Sequence, residues 1–183
     1  MKFLGTLFLA TLVAAVAPAT ASAQTATSAS TVANPIVLRV GVLWPSDVTV
    51  RRWAGYTPIN VGLDMETGQG KAAGSALAAT YIDYFGGSTG PRVNVVGFGM
   101  SERVASPSED GAAASGNQQF FTGGGAGAYN VSSSNGNGFV LGAKFFAGVD
   151  AGGQFITEFG YNLISAKNGI NPSGFFMQMG LRL

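Results

Sequence analysis

Residues 139–163 have the sequence FVLGAKFFAGVDAGGQFITEFGYNL, and this stretch decides the fold. In its first half an apolar set of side chains alternates with a second set of six, of which four are polar or glycine, Lys144 and Asp150 among them. The half that starts at Phe155 alternates in the same way and places Glu158 on its polar side. A helix would mix the two sets, whereas a strand separates them onto two faces. The glycine-rich link between the halves therefore predicts a β-hairpin with one apolar and one polar face.

The same two-residue period recurs along the chain and predicts eight strands. The alternation is weaker in residues 76–85, 93–103 and 119–131, and the facing of 119–131 stays open. In residues 93–103 the alternation places Val96, Phe98 and Met100 on the outward face. The lengths lie near the 9–11 residues that a tilted strand needs to cross a membrane. The predicted strands are residues 36–44, 59–66, 76–85, 93–103, 119–131, 139–150, 155–163 and 175–183.

Clusters of glycine, serine, asparagine and proline separate the strands and predict hairpin connections. If the N-terminus and the C-terminus both lie on the periplasmic side, four connections face outside the cell, and residues 104–117 form a periplasmic turn. The first outer connection has room for a short helix or strand at residues 48–53. The four predicted outer connections are residues 45–58, 86–92, 132–138 and 164–173.

The composition excludes several classes of function. The 183 residues are 46% hydrophobic and only 10% charged, they include 28 glycines, and they contain no cysteine and no histidine. Without cysteine there is no disulfide or thiolate site, and without histidine there is no Ser-His-Asp or Cys-His catalysis. A formal charge of +1 does not provide the basic surface that nucleic-acid binding requires. We therefore predict no catalytic residue, no cofactor, no metal site and no nucleic-acid partner.

The N-terminus is typical of an exported protein. Residues 1–23 combine an early lysine, an uncharged apolar run over 3–17 and the small-residue cleavage sequence Ala-Ser-Ala at 21–23, as a secretory signal peptide does. The alternative is an N-terminal membrane anchor, but the run is shorter than the roughly 20 residues that a spanning helix needs. Residues 24–34 are predicted to be a flexible linker, and residues 35–183 the barrel.

The charges fall on one face of the predicted strands, which leaves two kinds of barrel to distinguish. In a soluble barrel the polar face would be outside, and here it would be thinly charged. In a membrane barrel the apolar face meets lipid and the polar face lines a narrow lumen, where charges need partners. We predict an all-β, eight-stranded antiparallel up-and-down transmembrane β-barrel. Its predicted lumen network is Arg39, Asp64, Asp83, Lys144, Glu158 and Arg182, and its predicted lipid-facing residues are Ile59, Val61, Leu63, Phe155, Phe159, Met177, Met179 and Leu181.

Two further features bear on the membrane hypothesis. Trp44, Tyr84, Tyr129 and Tyr161 lie near predicted strand ends, where aromatic rings can form girdles at the headgroup level, although ordinary strand packing would also account for them. The pair Arg51-Arg52 could contact lipopolysaccharide phosphates if its loop is extracellular, and the alternative is an exposed pair of charges without a partner.

Residues 35–183 resemble the small outer-membrane β-barrels of the OmpA/OmpX/OmpW kind. The resemblance rests on the signal peptide, the eight alternating strands, and the segments GGGAGAYN (123–130), GFVLGAKFFAGVD (138–150) and NPSGFFMQMGLRL (171–183). It implies contact with outer-membrane lipid and lipopolysaccharide, and insertion by the barrel-assembly machinery. That family usually ends in an aromatic residue, whereas this chain ends in Leu183.

The expected function is that of a monomeric protein of the bacterial outer membrane with a structural, surface-interaction or adhesion role and no catalysis. Eight strands leave an interior that is mostly filled by side chains, so a wide channel is not expected. Two alternatives stay open. One is a soluble periplasmic, lipocalin-like barrel that binds a small apolar ligand, and the other is a narrow pore for small solutes.

Overall fold

The computed structural model describes residues 36–67, 76–86, 93–105, 119–151 and 154–183. The predicted signal peptide and linker lie outside the described residues. No helix in the described part of the chain is long and apolar enough to cross a membrane.

Eight strands form one closed antiparallel barrel, in which each strand pairs with its neighbours in the sequence and the first pairs with the last. The predicted all-β, eight-stranded antiparallel barrel is therefore confirmed, and one short helix is added to it. The elements are β1 (Ile36–Pro45), α1 (Val48–Ala54), β2 (Ile59–Thr67), β3 (Ala76–Gly86), β4 (Asn94–Ala105), β5 (Gln119–Ser133), β6 (Gly136–Asp150), β7 (Phe155–Ile164) and β8 (Gly174–Arg182).

The sheet closes between β1 and β8. The two strands pair from Val37 with Arg182 to Pro45 with Gly174, and the Leu183 amide donates a hydrogen bond of 2.8 Å to the Ile36 carbonyl. Because both strands have a neighbour on each side, neither offers the row of unpaired backbone groups that makes an edge strand prone to association.

The side chains of each strand alternate between the lumen and the outer wall. In β1, for example, Val37 and Arg39 are buried while Leu38 and Val40 are exposed. The alternation also settles β5, whose facing the sequence left open. Its buried ends, Phe121 and Tyr129, point inward, and its glycines lie between them.

Two connections differ from the prediction. The turn predicted at residues 132–138 is only residues 134–135, because β5 and β6 stay paired as far as Ser133 and Gly136. Gly136 has φ = +113°, a value that side chains rarely allow. At the other end, β4 continues to Ala105, and residues 106–117 of the predicted periplasmic turn lie outside the described residues. The strands extend beyond the alternating segments of the sequence because backbone hydrogen bonds between strands do not depend on the polarity of the side chains.

The helix α1 lies in the connection between β1 and β2, at a position where the sequence left a helix or a strand open. Asp47 is its N-cap: one carboxylate oxygen accepts a hydrogen bond of 2.6 Å from the Thr49 amide, and the other accepts one of 3.0 Å from the Asn171 amide. Val50 and Ala54 are buried and belong to the same apolar cluster as Leu43. The helix therefore packs its apolar face onto the barrel end where β1 finishes, which we call the α1 end.

Candidate functional site

The lumen holds almost all the charge of the described strands. Nine charged side chains lie on the inner face, whereas Glu102 is the charged residue that alternation places on the outer wall of these strands. The inner set consists of Arg39, Asp64, Glu66, Asp83, Arg103, Lys144, Asp150, Glu158 and Arg182. Since burial of unpaired charge is costly, the arrangement of these groups determines whether the lumen is stable.

Arg39 is the hub of the first group, which we call the central cluster. Its Nη2 donates to Asp64 Oδ1 at 2.6 Å and to Asp83 Oδ1 at 2.7 Å, and its Nη1 donates to Gln178 Oε1 at 2.6 Å. Only 1% of Arg39 is exposed. The planar guanidinium offers several donors in fixed directions, so one side chain can bridge groups on three other strands.

Gly62 makes this bridge sterically possible. In the sheet register Arg39 lies beside Gly62, and Gly62 lies beside Asp83, so the arginine must reach across one strand to its partner. A Cβ atom on Gly62 would lie 2.6 Å from Asp83 Oδ1 and 2.8 Å from Arg39 Nη2. The missing side chain therefore provides the space in which the ion pair forms.

Lys144 is the second cation of the central cluster. Its Nζ lies 3.6 Å from Asp83 Oδ2 and 3.9 Å from the centre of the Tyr81 ring, which attracts the ammonium group through its π-face. The Tyr81 hydroxyl is 2.9 Å from the Tyr129 hydroxyl, and both tyrosines are fully buried. The cations, carboxylates and phenols thus fill the middle of the lumen.

Glu158 is held more loosely than the other carboxylates of the central cluster. Its Oε1 lies 3.8 Å from Arg39 Nη1, close enough for an ion pair, but it accepts no hydrogen bond from a described residue. The side chain is nevertheless buried. Two cations, Arg39 and Lys144, thus meet three carboxylates in the described part of this cluster.

A second group, the lower cluster, lies toward the opposite end of the barrel from α1. Glu66 accepts hydrogen bonds from Arg103 Nη2 at 2.5 Å and from Arg182 Nη2 and Nε at 3.3 Å. Arg182 also donates to Asp150 Oδ2 at 3.0 Å, and the Arg103 guanidinium lies 4.8 Å from the centre of the Phe121 ring. Two cations and two carboxylates balance each other here.

The predicted network is therefore divided between two clusters. Arg39, Asp64, Asp83, Lys144 and Glu158 come together in the central cluster. Arg182 instead forms ion pairs with Glu66 and Asp150 in the lower cluster. Arg182 lies at the last position of β8, too far along the strand for the central group.

Sequence reasoning missed several members of the clusters. The sequence-based network did not include Glu66, Arg103, Asp150 or Gln178. The signal was present, because Arg103 has the inward parity that follows once Phe98 and Met100 point outward, and the other residues have the polar parity of their strands.

The eight predicted lipid-facing side chains all lie on the outer wall. Ile59, Phe155, Phe159 and Met179 are each more than half exposed, and Met177 is 48% exposed. The remaining three are half-buried, because they lie among neighbouring outer-wall side chains; they are Val61, Leu63 and Leu181.

The four aromatic residues predicted near the strand ends do not all lie on the same face of the sheet. Trp44 and Tyr84 are on the outer wall and each is 42% exposed, and the Tyr161 ring packs edge-to-face with Phe175 at a centre distance of 4.8 Å. Tyr129 does not belong with them. It points into the lumen and is fully buried, because its parity in β5 is that of Phe121.

Comparison with protein-family models and with curated proteins finds no match for this chain. Among the described residues, no group of three or more carboxylates is arranged to hold a metal ion. What the site offers chemically is therefore a set of mutually paired charges that fill the lumen.

Proposed function

We propose that the chain is a protein of the bacterial outer membrane whose barrel crosses the membrane, with a structural, surface-interaction or adhesion role and no catalysis. On this proposal the barrel is a monomer in contact with outer-membrane lipid and lipopolysaccharide, it is exported by its signal peptide, and it is inserted by the barrel-assembly machinery.

The distribution of charge carries the proposal. In the described strands nine charged side chains lie inside and Glu102 lies outside, whereas the outer wall presents residues such as Phe98, Met100, Phe139 and Leu141, each more than half exposed. A wall of this kind is favourable against hydrocarbon and unfavourable against water. Paired charges inside a narrow barrel fit the same environment, because the lumen is shielded from lipid.

A lipocalin-like barrel would need the opposite arrangement, an apolar cavity inside and charges outside. Here the middle of the lumen holds Arg39, Asp64, Asp83 and Lys144 in direct contact, which leaves no apolar chamber at that level. The same contacts oppose a wide channel, since the side chains occupy the interior. The absence of histidine and cysteine from the sequence supports a role without catalysis.

Cysteine labelling of neighbouring residues tests the membrane placement. Leu63 points to the outer wall and Asp64 to the lumen, so Leu63→Cys and Asp64→Cys place a thiol on opposite sides of one strand. In outer-membrane vesicles a lipid-soluble maleimide should label Leu63→Cys at least tenfold faster than a membrane-impermeant maleimide does. Heat-modifiable migration on a detergent gel would show that each variant still forms a barrel.

The labelling has a matched control and a clear contrary result. Thr67→Cys, at the end of β2, should react with both reagents, because it lies at the rim. Recovery of the protein in the soluble periplasm without detergent, or fast labelling of Leu63→Cys by the impermeant reagent in folded protein, would reject the membrane proposal.

A further inference from the structure

A concave surface lies beside the helix at the α1 end of the barrel. It has a volume of about 570 Å³ and is lined by Val48, Arg51, Arg52, Gly55 and Tyr56. Val48 and Tyr56 are 58% and 77% exposed, so the concavity combines two cationic side chains with an open apolar and phenolic wall. We call it the α1 concavity.

The two arginines of the α1 concavity are not neutralised by the rest of the described protein. Neither Arg51 nor Arg52 takes part in an ion pair with a described residue. The neighbouring carboxylate, Asp47, uses both of its oxygens to accept backbone amides. The surface therefore has an excess of positive charge and free guanidinium donors.

Arg51 is nevertheless held in place. Its Nη2 donates to the Ser46 carbonyl at 3.4 Å, and its Nε is buried without a hydrogen-bond acceptor among the described residues. A buried donor without an acceptor costs free energy, and an anion that reaches it would remove this cost. Guanidinium groups match the oxygens of a phosphate or a carboxylate with two parallel hydrogen bonds, which favours these anions over a halide.

The α1 concavity also lies next to the outer wall. Ser46, to which Arg51 donates, places its hydroxyl 3.0 Å from that of Tyr161, and the Tyr161 ring packs against Phe175 on the wall. Together with Trp44 these rings form an aromatic rim of the kind that marks the headgroup level of a membrane. An arginine beside such a rim lies where lipid phosphates are found.

We propose that Arg51, Arg52 and Tyr56 bind a phosphate of a phosphorylated glycolipid in the outer leaflet. The inference rests on the proposed membrane function and adds the site and the chemical group that it recognises. The two guanidinium groups and the Tyr56 hydroxyl donate to the phosphate oxygens, and Val48 contacts the apolar part of the lipid.

Binding to vesicles of defined composition tests the site. The full chain is refolded into phosphatidylcholine vesicles that contain either diphosphorylated lipid A or none, and bound lipid A is measured by pull-down of the barrel after mild detergent extraction. Arg51→Gln and Arg52→Gln should each weaken the apparent affinity about tenfold, because each removes hydrogen bonds to a charged group. Arg52→Lys, which keeps the charge but not the fork of donors, should retain part of the affinity.

Lys167→Gln is the matched control, since Lys167 belongs to the β7–β8 connection at the same barrel end and its loss changes the net charge equally. It should change the affinity less than twofold. An equal loss in Lys167→Gln and Arg52→Gln would mean that charge alone attracts the lipid, and would overturn the site. Wild-type affinity in both arginine variants would overturn it as well.

Two further measurements distinguish free phosphate from lipid phosphate, and failure of the binding site from failure of the proposed membrane function. If inorganic phosphate at millimolar concentration competes fully with lipid A, the concavity recognises free phosphate and the glycolipid assignment is wrong. A barrel that inserts and shows heat-modifiable migration but does not retain lipid A rejects this site and leaves the proposed function intact. Failure to insert into either kind of vesicle rejects both.

Discussion

At the residue scale, Arg39 joins its own strand to three others in the middle of the lumen. It satisfies Asp64, Asp83 and Gln178 through hydrogen bonds, and each of these partners is itself buried. The sequence predicted the inward position of Arg39 from its parity alone. It did not predict its partners, because pairing depends on which residues the register places side by side, and alternation leaves the register of each strand open.

Replacement of the hub tests its importance. We expect Arg39→Met to lower the free energy of unfolding by about 3–5 kcal/mol, because it removes the described cation partner of the buried carboxylates Asp64 and Glu158. The measurement is urea unfolding of the refolded barrel in detergent micelles, followed by tryptophan fluorescence. Arg52→Met, which removes an exposed arginine, should change the value by less than about 0.5 kcal/mol. Equal stability of the two variants would show that the central cluster contributes little.

At the element scale, β5 shows why glycine is frequent in this barrel. Three of its four glycines, Gly123, Gly125 and Gly127, have the inward parity of Phe121 and Tyr129, where neighbouring side chains occupy the space. The fourth, Gly124, faces the outer wall, where space is open. A Cβ atom on Gly127 would lie 2.4 Å from the Phe98 carbonyl and 2.6 Å from the Tyr81 hydroxyl, whereas one on Gly124 would meet nothing closer than 3.4 Å. The sequence indicated a strand here but not its facing, since glycine carries no polarity.

These two glycines form a matched pair. Gly127→Ala should destabilise the barrel by at least about 1–3 kcal/mol, as overpacking of a filled interior does, because the conflict with the Phe98 carbonyl involves backbone. Gly124→Ala should be neutral or slightly stabilising, because a methyl group fits there. Urea midpoints in the same micelles compare them. If Gly124→Ala proves the more damaging change, the facing assigned to β5 is wrong.

The attachment of α1 should depend on pH. Burial acts to raise the pKa of the Asp47 carboxyl, but the hydrogen bonds from the Thr49 and Asn171 amides outweigh it and hold the pKa below its ordinary value. A carboxyl whose pKa is lowered by folding contributes stability above its unfolded pKa, near 3.9, and loses it as the pH falls through the folded pKa. The helix should therefore be held at neutral pH and loosened in acid.

Hydrogen exchange of the α1 amides measures this effect. At pH 7, Asp47→Ala should speed their exchange about fivefold, the equivalent of an N-cap worth about 1 kcal/mol. The difference between the variant and the parent, each corrected for intrinsic exchange, should shrink when the pH is lowered below 3. Asp150→Ala is the control, because it lies at the other end of the barrel and should leave these amides unchanged. A difference that is the same at both pH values would contradict the assignment.

At the scale of the whole molecule, the number of strands, their order and the polarity of the two faces follow from the alternation, and the structure agrees with them. What the alternation could not predict was the lengths of the connections and whether residues 48–53 form a helix or a strand. A helix of seven residues carries too few periodic positions to distinguish it from a loop. Closure of the sheet requires β1 to pair with β8, and no local sequence pattern encodes a contact between strands that lie so far apart in the chain.

Charge on the outer wall distinguishes a barrel in lipid from a barrel in water. Met177 lies in the middle of β8 on the outer wall, and Thr67 lies at the end of β2. In vesicles, Met177→Arg should lower stability by about 2–4 kcal/mol and Thr67→Arg by no more than about 1 kcal/mol, because the cost of a cation depends on its depth in the bilayer. Guanidinium unfolding monitored by gel migration measures both. Equal effects of the two substitutions would mean that the outer wall of the barrel does not lie in the hydrocarbon of a bilayer.

The pairing of β1 with β8 has a consequence for the order of events during folding. Arg39 and Gln178, which meet across this seam, are separated by 139 residues in the chain. Contacts of such long sequence separation form slowly, because the entropy of closing the loop is lost before the contact stabilises anything. Until β8 pairs with β1, the sheet has two edges whose backbone N–H and C=O groups are unpaired and can associate with another chain. We therefore expect association through these two edges to compete with closure of the barrel until β8 has paired with β1.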